Sequence, residues 1–202
     1  MTSVANEICR SAYWSVALTF MLGSVLLSPL VNADETEIIE RVTQASVMIR
    51  TQLFHGLAED DRASGRWKGS GFVIDRERGW IMTNAHVAGS GPVKLRVQFS
   101  DSDEKFEAER VFVDARHDIA VLSVDPEDIP KNAEALSLDC DFELRRGLRV
   151  VAVGHPHLNE FSVTIGVLSG LKSFGADPDL FSPDVLVEPG SSGGPIVSLE
   201  SS

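Results

Sequence analysis

Cysteine is nearly missing from this chain: its 202 residues hold two, Cys9 and Cys140. Cys9 falls in an N-terminal stretch that reads as removable, so Cys140 is left with no partner for an internal disulfide. A packed core must then hold the fold together. Cys140 itself reads as a core thiol, with pairing between molecules as the alternative. Positive charge is also scarce, 18 Lys and Arg against 30 Asp and Glu, for a net charge of −12. Without a basic stripe along the sequence, nucleic acid phosphates would be repelled, and nucleic acid is excluded as the expected partner. Helical repeats, heptads and low-complexity tracts are absent too, which leaves an ordinary globular domain. Beyond residue 31 there is no long apolar run.

The one long apolar run, "AYWSVALTFMLGSVLLSPLV", covers residues 12–31. Arg10 precedes it, Pro29 interrupts helix near its end, and Val31-Asn32-Ala33 puts modest or small residues where a signal peptidase reads. Residues 1–33 are therefore expected to be a secretory signal, cleaved before Asp34, and the protein to be exported to a periplasm or the outside. The run is long for such a segment, so an uncleaved membrane anchor is the alternative. Its serines, threonine, glycine and proline weaken that alternative. Glu7 and Arg10 leave with the signal, so the remaining chain keeps the charge of −12. Residues 34–202 suffice for one large domain or two small halves.

"DETEIIERVTQA" (34–45) sets Ile38, Ile39 and Val42 on one helical face, with acids in the first turn where the helix dipole favours them. "SVMIRTQ" follows as a strand. "LAEDDRASGRWKG" (57–69) is polar and glycine-punctuated and reads as a loop. Short β-type runs then come at close intervals: "GFVID", "WIMTN", "KLRVQF", "FEAERVFVD", "IAVLSV", "LRVVAVG", "FSVTIGVLSG", "VLVE" and "GPIVSL". Many short strands with little helix predict an all-β sandwich or barrel. "DPEDIPKNAEALSLD" (125–139) breaks the series and marks a boundary between two β units.

"EPGSSGGPIV" (188–197) surrounds Ser191 and Ser192 with Gly190, Gly193 and Gly194, then lands on the apolar pair Ile196-Val197. A serine hydroxyl becomes a nucleophile only with a base to take its proton and donors to stabilise the oxyanion. Glycines let backbone N–H groups converge on one spot. A plain turn between strands explains the stretch equally well when it is taken alone. "GWIMTNAHVA" (79–88) brings His86 to the end of an apolar strand, and "RHDIAVLSV" puts Asp118 at the start of another. His117 adjoins Asp118, but neighbours in extended chain do not face each other, so it makes a poor base. His55, His155 and His157 stand in polar contexts. His155 and His157 alternate in "GHPHL", but two histidines without a third ligand make a poor zinc site, and the segment reads as a turn. No metal and no cofactor are expected.

The order His, Asp, Ser is one of the known orders for a catalytic triad. "GSGFVID", "WIMTNAHVA", "HDIAVLSV", "VTIGVLSG" and "PGSSGGPIV" together resemble the trypsin-like serine proteases, in the HtrA-like (DegP-like) exported branch, in register from about Ile38 to Val197. The resemblance implies two antiparallel β-barrels, 34–128 carrying His86 and Asp118 and 129–202 carrying Ser192. It implies His86 as general base and then acid, Asp118 as its orienter and Ser192 as nucleophile. The backbone N–H groups of Gly190 and Ser192 would form the oxyanion hole. Leu186 and Val187 would line part of the specificity pocket, which suggests small or medium aliphatic side chains. Two departures stand out. Ser191 occupies a position where the family usually has Asn or Asp. The family also continues for two more strands after its serine and often into a PDZ-like module, so the second barrel is expected to be incomplete. The implied function is a serine endopeptidase for unfolded or misfolded exported proteins, with possible homo-oligomers. A non-catalytic peptide-binding homologue is the competing reading. A serine esterase fits less well, because its nucleophile elbow has the form G-x-S-x-G.

Overall fold

The structure, a computed structural model, describes residues 33–54, 65–139, 145–155, 161–174, 177–184 and 190–200. Helix α1 (Ala33–Ala45) leads into strand β1 (Ser46–Leu53). Asp34 and Glu35 sit in its first turn, where they oppose the positive end of the helix dipole. At the other end the Ser46 hydroxyl donates to the Val42 carbonyl at 2.7 Å, satisfying one of the carbonyls the helix leaves open. The chain continues as β2 (Arg66–Asp75), β3 (Trp80–Thr83), the one-turn helix α2 (Ala85–Ala88), β4 (Val93–Phe99), β5 (Phe106–Asp114) and β6 (Ile119–Ser123).

These six strands close into an antiparallel barrel in the order β1-β2-β3-β6-β5-β4. Alternation explains the closure: Val47 and Ile49 from β1, Leu95, Val97 and Phe99 from β4, and Ala120 and Leu122 from β6 all fill the same core. Each fully buried Val, Ile, Leu or Phe side chain among them contributes about 1.5–3 kcal/mol. Register shifts opposite Val73–Asp75 in β2 and Arg110–Phe112 in β5 add the local twist that a small barrel needs.

Residues 125–139 carry the chain out of the barrel. A 3₁₀ turn (Pro126–Asp128) opens the segment, and the Arg76 guanidinium then holds it by donating to the carbonyls of Ile129, Pro130 and Ala133. The second β unit comprises β7 (Arg149–Gly154), β8 (Ser162–Phe174), β9 (Asp177–Asp184) and β10 (Ile196–Ser198), an open antiparallel sheet in the order β10-β7-β8-β9. A second core cluster joins the two units: Val42 and Ala45 of α1, Phe72 of β2, Leu136, Val151 and Val153 of β7, and Leu199. The architecture is thus all-β and of the chymotrypsin type, with one closed barrel, one incomplete sheet and a short N-terminal helix.

Three sequence expectations change. The loop expected to run to Gly69 gives way to β2 at Arg66, because Arg66 and Lys68 are polar residues on the outward face of a strand. Strand β9, "DPDLFSPD", was not expected at all; two prolines and three aspartates hide it, and its pairing with β8 creates it. His155 is only 1 % exposed, so its context is buried rather than polar. The expected strand "VLVE", Leu186, Val187, Cys140, His55, His157 and nearly all of the expected signal lie outside the described residues.

Candidate active site

Strand β3 ends at Thr83, and α2 immediately turns the chain so that His86 stands at the barrel rim. Asp118 comes from the turn that enters β6. Its φ of 55° is unusual for a residue with a side chain. Three hydrogen bonds hold it there. The His86 backbone N–H donates to Asp118 Oδ1 at 2.9 Å, the His86 ring meets Oδ2 through Nδ1 at 2.7 Å, and Asn84 Nδ2 donates to the Asp118 carbonyl at 2.8 Å. A carboxylate can only accept, so Nδ1 carries the proton and Nε2 is the ring atom left to accept one. Both side chains remain about half exposed, 53 % for His86 and 46 % for Asp118. His117, the neighbour set aside from the sequence, turns to Asp114 instead and bonds it through Nδ1 at 2.6 Å.

The serine loop lies against β2 and β3. Ser70 of β2 is its bracket: its N–H donates to the Ser192 carbonyl and its hydroxyl to the Gly190 carbonyl, both at 2.8 Å. The Ser70 carbonyl accepts from the Thr83 hydroxyl at 2.6 Å, which ties the bracket to the strand that delivers His86. Gly193, at φ +85°, presses so close to its neighbours that a Cβ would collide with the Ser70 carbonyl and Thr83 Oγ1 and crowd Asn84 N. Gly154 at the end of β7 plays the matching part beneath the loop, since a Cβ there would stand 2.6 Å from Ser191 Oγ. Ser192 is half-buried, on a loop packed two residues from His86 along the chain at Asn84. The Gly190 carbonyl is turned to Ser70.

His155 completes this support. Its backbone N–H donates to Ser70 Oγ at 3.0 Å and its Nδ1 lies 3.0 Å from the same oxygen. The Ser70 proton is already committed to the Gly190 carbonyl, so Nδ1 is the donor and Nε2 is bare. Phe161 packs edge-on against the ring, with centroids 4.0 Å apart. Burial first, and the positive charge of Lys68 second, push the His155 pKa down to about 3. The ring is a neutral structural donor. Sequence reasoning missed both Ser70 and His155. "GFVID" was legible as a strand, but nothing in the sequence announces that Ser70, just before it, bonds Gly190 120 residues away. Among the described residues no group of three potential metal ligands occurs.

A closed barrel presenting His–Asp, with a serine loop docked against its strands, is the arrangement of chymotrypsin-type peptidases. The profile of the trypsin-like peptidase domain matches residues 69–202. The chain belongs to that family, in its HtrA/DegP-like branch. It is 39% identical over 136 residues to a protein of Halomonas elongata described as a probable periplasmic DegP-like serine endoprotease, covering 65% of this chain and 27% of that one. With human serine protease HTRA3 it shares 34% over 176 residues, 81% of this chain and 37% of the relative. The chain thus spans well under half the length of these curated relatives. Among solved structures, an HtrA-type protease, AlgW with tripeptide, superposes with a TM-score of 0.68 at 24% identity, over 82% of this chain and 50% of the other, a likeness of fold.

Proposed function

We propose that the chain is a serine endopeptidase in which His86, Asp118 and Ser192 act as the triad. The observation that carries this reading is the two-point bond from Asp118 to the His86 backbone and ring. It fixes both the orientation and the tautomer that a general base requires. Ser192 Oγ attacks the scissile carbonyl while His86 Nε2 takes its proton. The backbone N–H groups of Gly190 and Ser192 stabilise the oxyanion, and His86 returns the proton to the leaving amine. Water then repeats the sequence on the acyl-enzyme.

Residues 34–128 form the unit that brings His86 and Asp118, residues 129–202 the unit that brings Ser192, and residues 1–33 the export signal. Leu186 and Val187 favour small or medium aliphatic side chains in the substrate. The DegP-like relative's periplasmic description supports an exported location, and unfolded or misfolded exported proteins are the substrate class, with self-association of the chain as a further expectation. Turnover of a denatured protein tests the assignment. Ser192→Ala and His86→Ala should each lower kcat by about 10⁴-fold or more, and Asp118→Asn by a comparable factor through the wrong tautomer. EDTA should leave the rate unchanged, because side-chain and backbone groups carry every step. Undiminished hydrolysis by Ser192→Ala would refute the reading.

A further inference from the structure

The sequence shows no basic stripe, but the fold assembles one. On the outer wall of the first barrel, a trough of about 440 Å³ is lined by Arg50, Arg66, Lys68, Lys94, Arg96 and Lys105. These are six of the 18 Lys and Arg in a chain of net charge −12, and among the described residues no carboxylate lines the trough. Register explains the gathering. Arg50 pairs with Lys68 on one side and Arg96 on the other, so three cations stand directly opposite one another across three strands. Two residues along, Gln52 pairs with Arg66 and with Lys94, giving a second row. Like charges directly opposite in a sheet destabilise it, so this arrangement opposes folding unless something negative lies among them.

Within the described residues the compensation is incomplete. Glu107 pairs with Lys94, and Lys94 together with Arg96 holds its carboxyl below the usual range. Arg50 has interactions of its own. Arg66, Lys68, Arg96 and Lys105 form no ion pair among the described residues. Strand spacing makes each row about 10 Å wide and sets the rows about 7 Å apart. That field matches one compact, multiply charged group rather than an extended polymer. Arginine forks suit the paired oxygens of phosphate, with lysines as added point charges.

We propose that this trough is a binding site for a compact oligophosphate, an anion carrying two or more phosphate groups, either free or as a lipid headgroup. None of His86, Asp118 and Ser192 lines the trough. Titration calorimetry with inorganic tripolyphosphate at about 50 mM salt tests it, using the full chain. Lys68→Gln/Arg96→Gln should weaken binding at least tenfold. Lys131→Gln/Arg146→Gln, which removes the same charge elsewhere on the surface, should change it less than twofold. Binding should also weaken as salt screens the charges. Co-sedimentation with phosphatidic acid vesicles, lost in the first variant and kept in the second, assigns the source to a lipid headgroup. Tripolyphosphate binding without vesicle binding assigns it to a soluble anion. No binding to either, equal affinity in both double variants, or tighter binding to duplex DNA than to tripolyphosphate would overturn the proposal.

Discussion

Ser70 has a single hydroxyl proton, and that proton goes to the Gly190 carbonyl. Removing it leaves a buried carbonyl unsatisfied and frees the start of the serine loop. Ser70→Ala should therefore lower kcat by about tenfold to a hundredfold with little change in KM, since displacements on the scale of an ångström carry penalties of that order. Steady-state kinetics on a denatured substrate reads this directly, and a change confined to KM would contradict it. His155 makes the second prediction at this scale. Its folded pKa of about 3 lies well below the 6.5 of an ordinary histidine. Below about pH 6.5 the unfolded chain gains a proton that the folded chain does not, so stability that is full above that pH is lost as pH falls towards 3. For one proton the slope approaches about 1.4 kcal/mol per pH unit. Urea unfolding at pH 6.5 and 5 should show the wild type losing about 2 kcal/mol more than His155→Asn, which retains an N–H donor without the titration. Equal losses would refute the buried, neutral ring. The contrast with the triad candidates is instructive. His86, Asp118 and Ser192 each sit in a local frame that a sequence displays, a strand end, a strand start and a glycine cluster. Ser70 and His155 owe their roles to contacts across the chain, and "GHPHL" looks like a polar turn because the cover that buries His155 is formed partly by Ser70 and Phe161.

At the scale of elements, the serine loop depends on glycine where it meets β2 and β3. Gly193→Ala would meet both a left-handed φ and a collision with the Ser70 carbonyl. The backbone cost alone is about 1–3 kcal/mol, and the loop should lift from its bracket. Activity should fall by at least a hundredfold, while tryptophan fluorescence of the barrel, from Trp67 and Trp80, stays native. Full activity in this variant would show that the docked loop is not the working one. The strands of the barrel were legible because alternation is strong where one face is buried and the other wet, as in β4 and β6. It failed at the start of β2, where Arg66 and Lys68 mimic a loop, and at β9, whose composition argues against a strand until β8 is beside it.

For the whole molecule, the cluster of Val42, Phe72, Leu136, Val151, Val153 and Leu199 makes the barrel and the open sheet one cooperative body. Phe72→Ala should cost about 3–5 kcal/mol, and urea unfolding followed by fluorescence and by far-UV circular dichroism should remain a single coincident transition. Two separated transitions would contradict the coupling. That coupling matters for function, because the barrel supplies His86 and Asp118 while the loop before β10 supplies Ser192. The most direct test of the account is therefore labelling with a serine-reactive phosphonate, read by mass spectrometry of the peptide that contains Ser191 and Ser192. The account predicts one adduct, on Ser192, absent in Ser192→Ala and slowed at least a thousandfold in His86→Ala. An unlabelled wild-type protein, or an adduct that forms equally fast without His86, would contradict it.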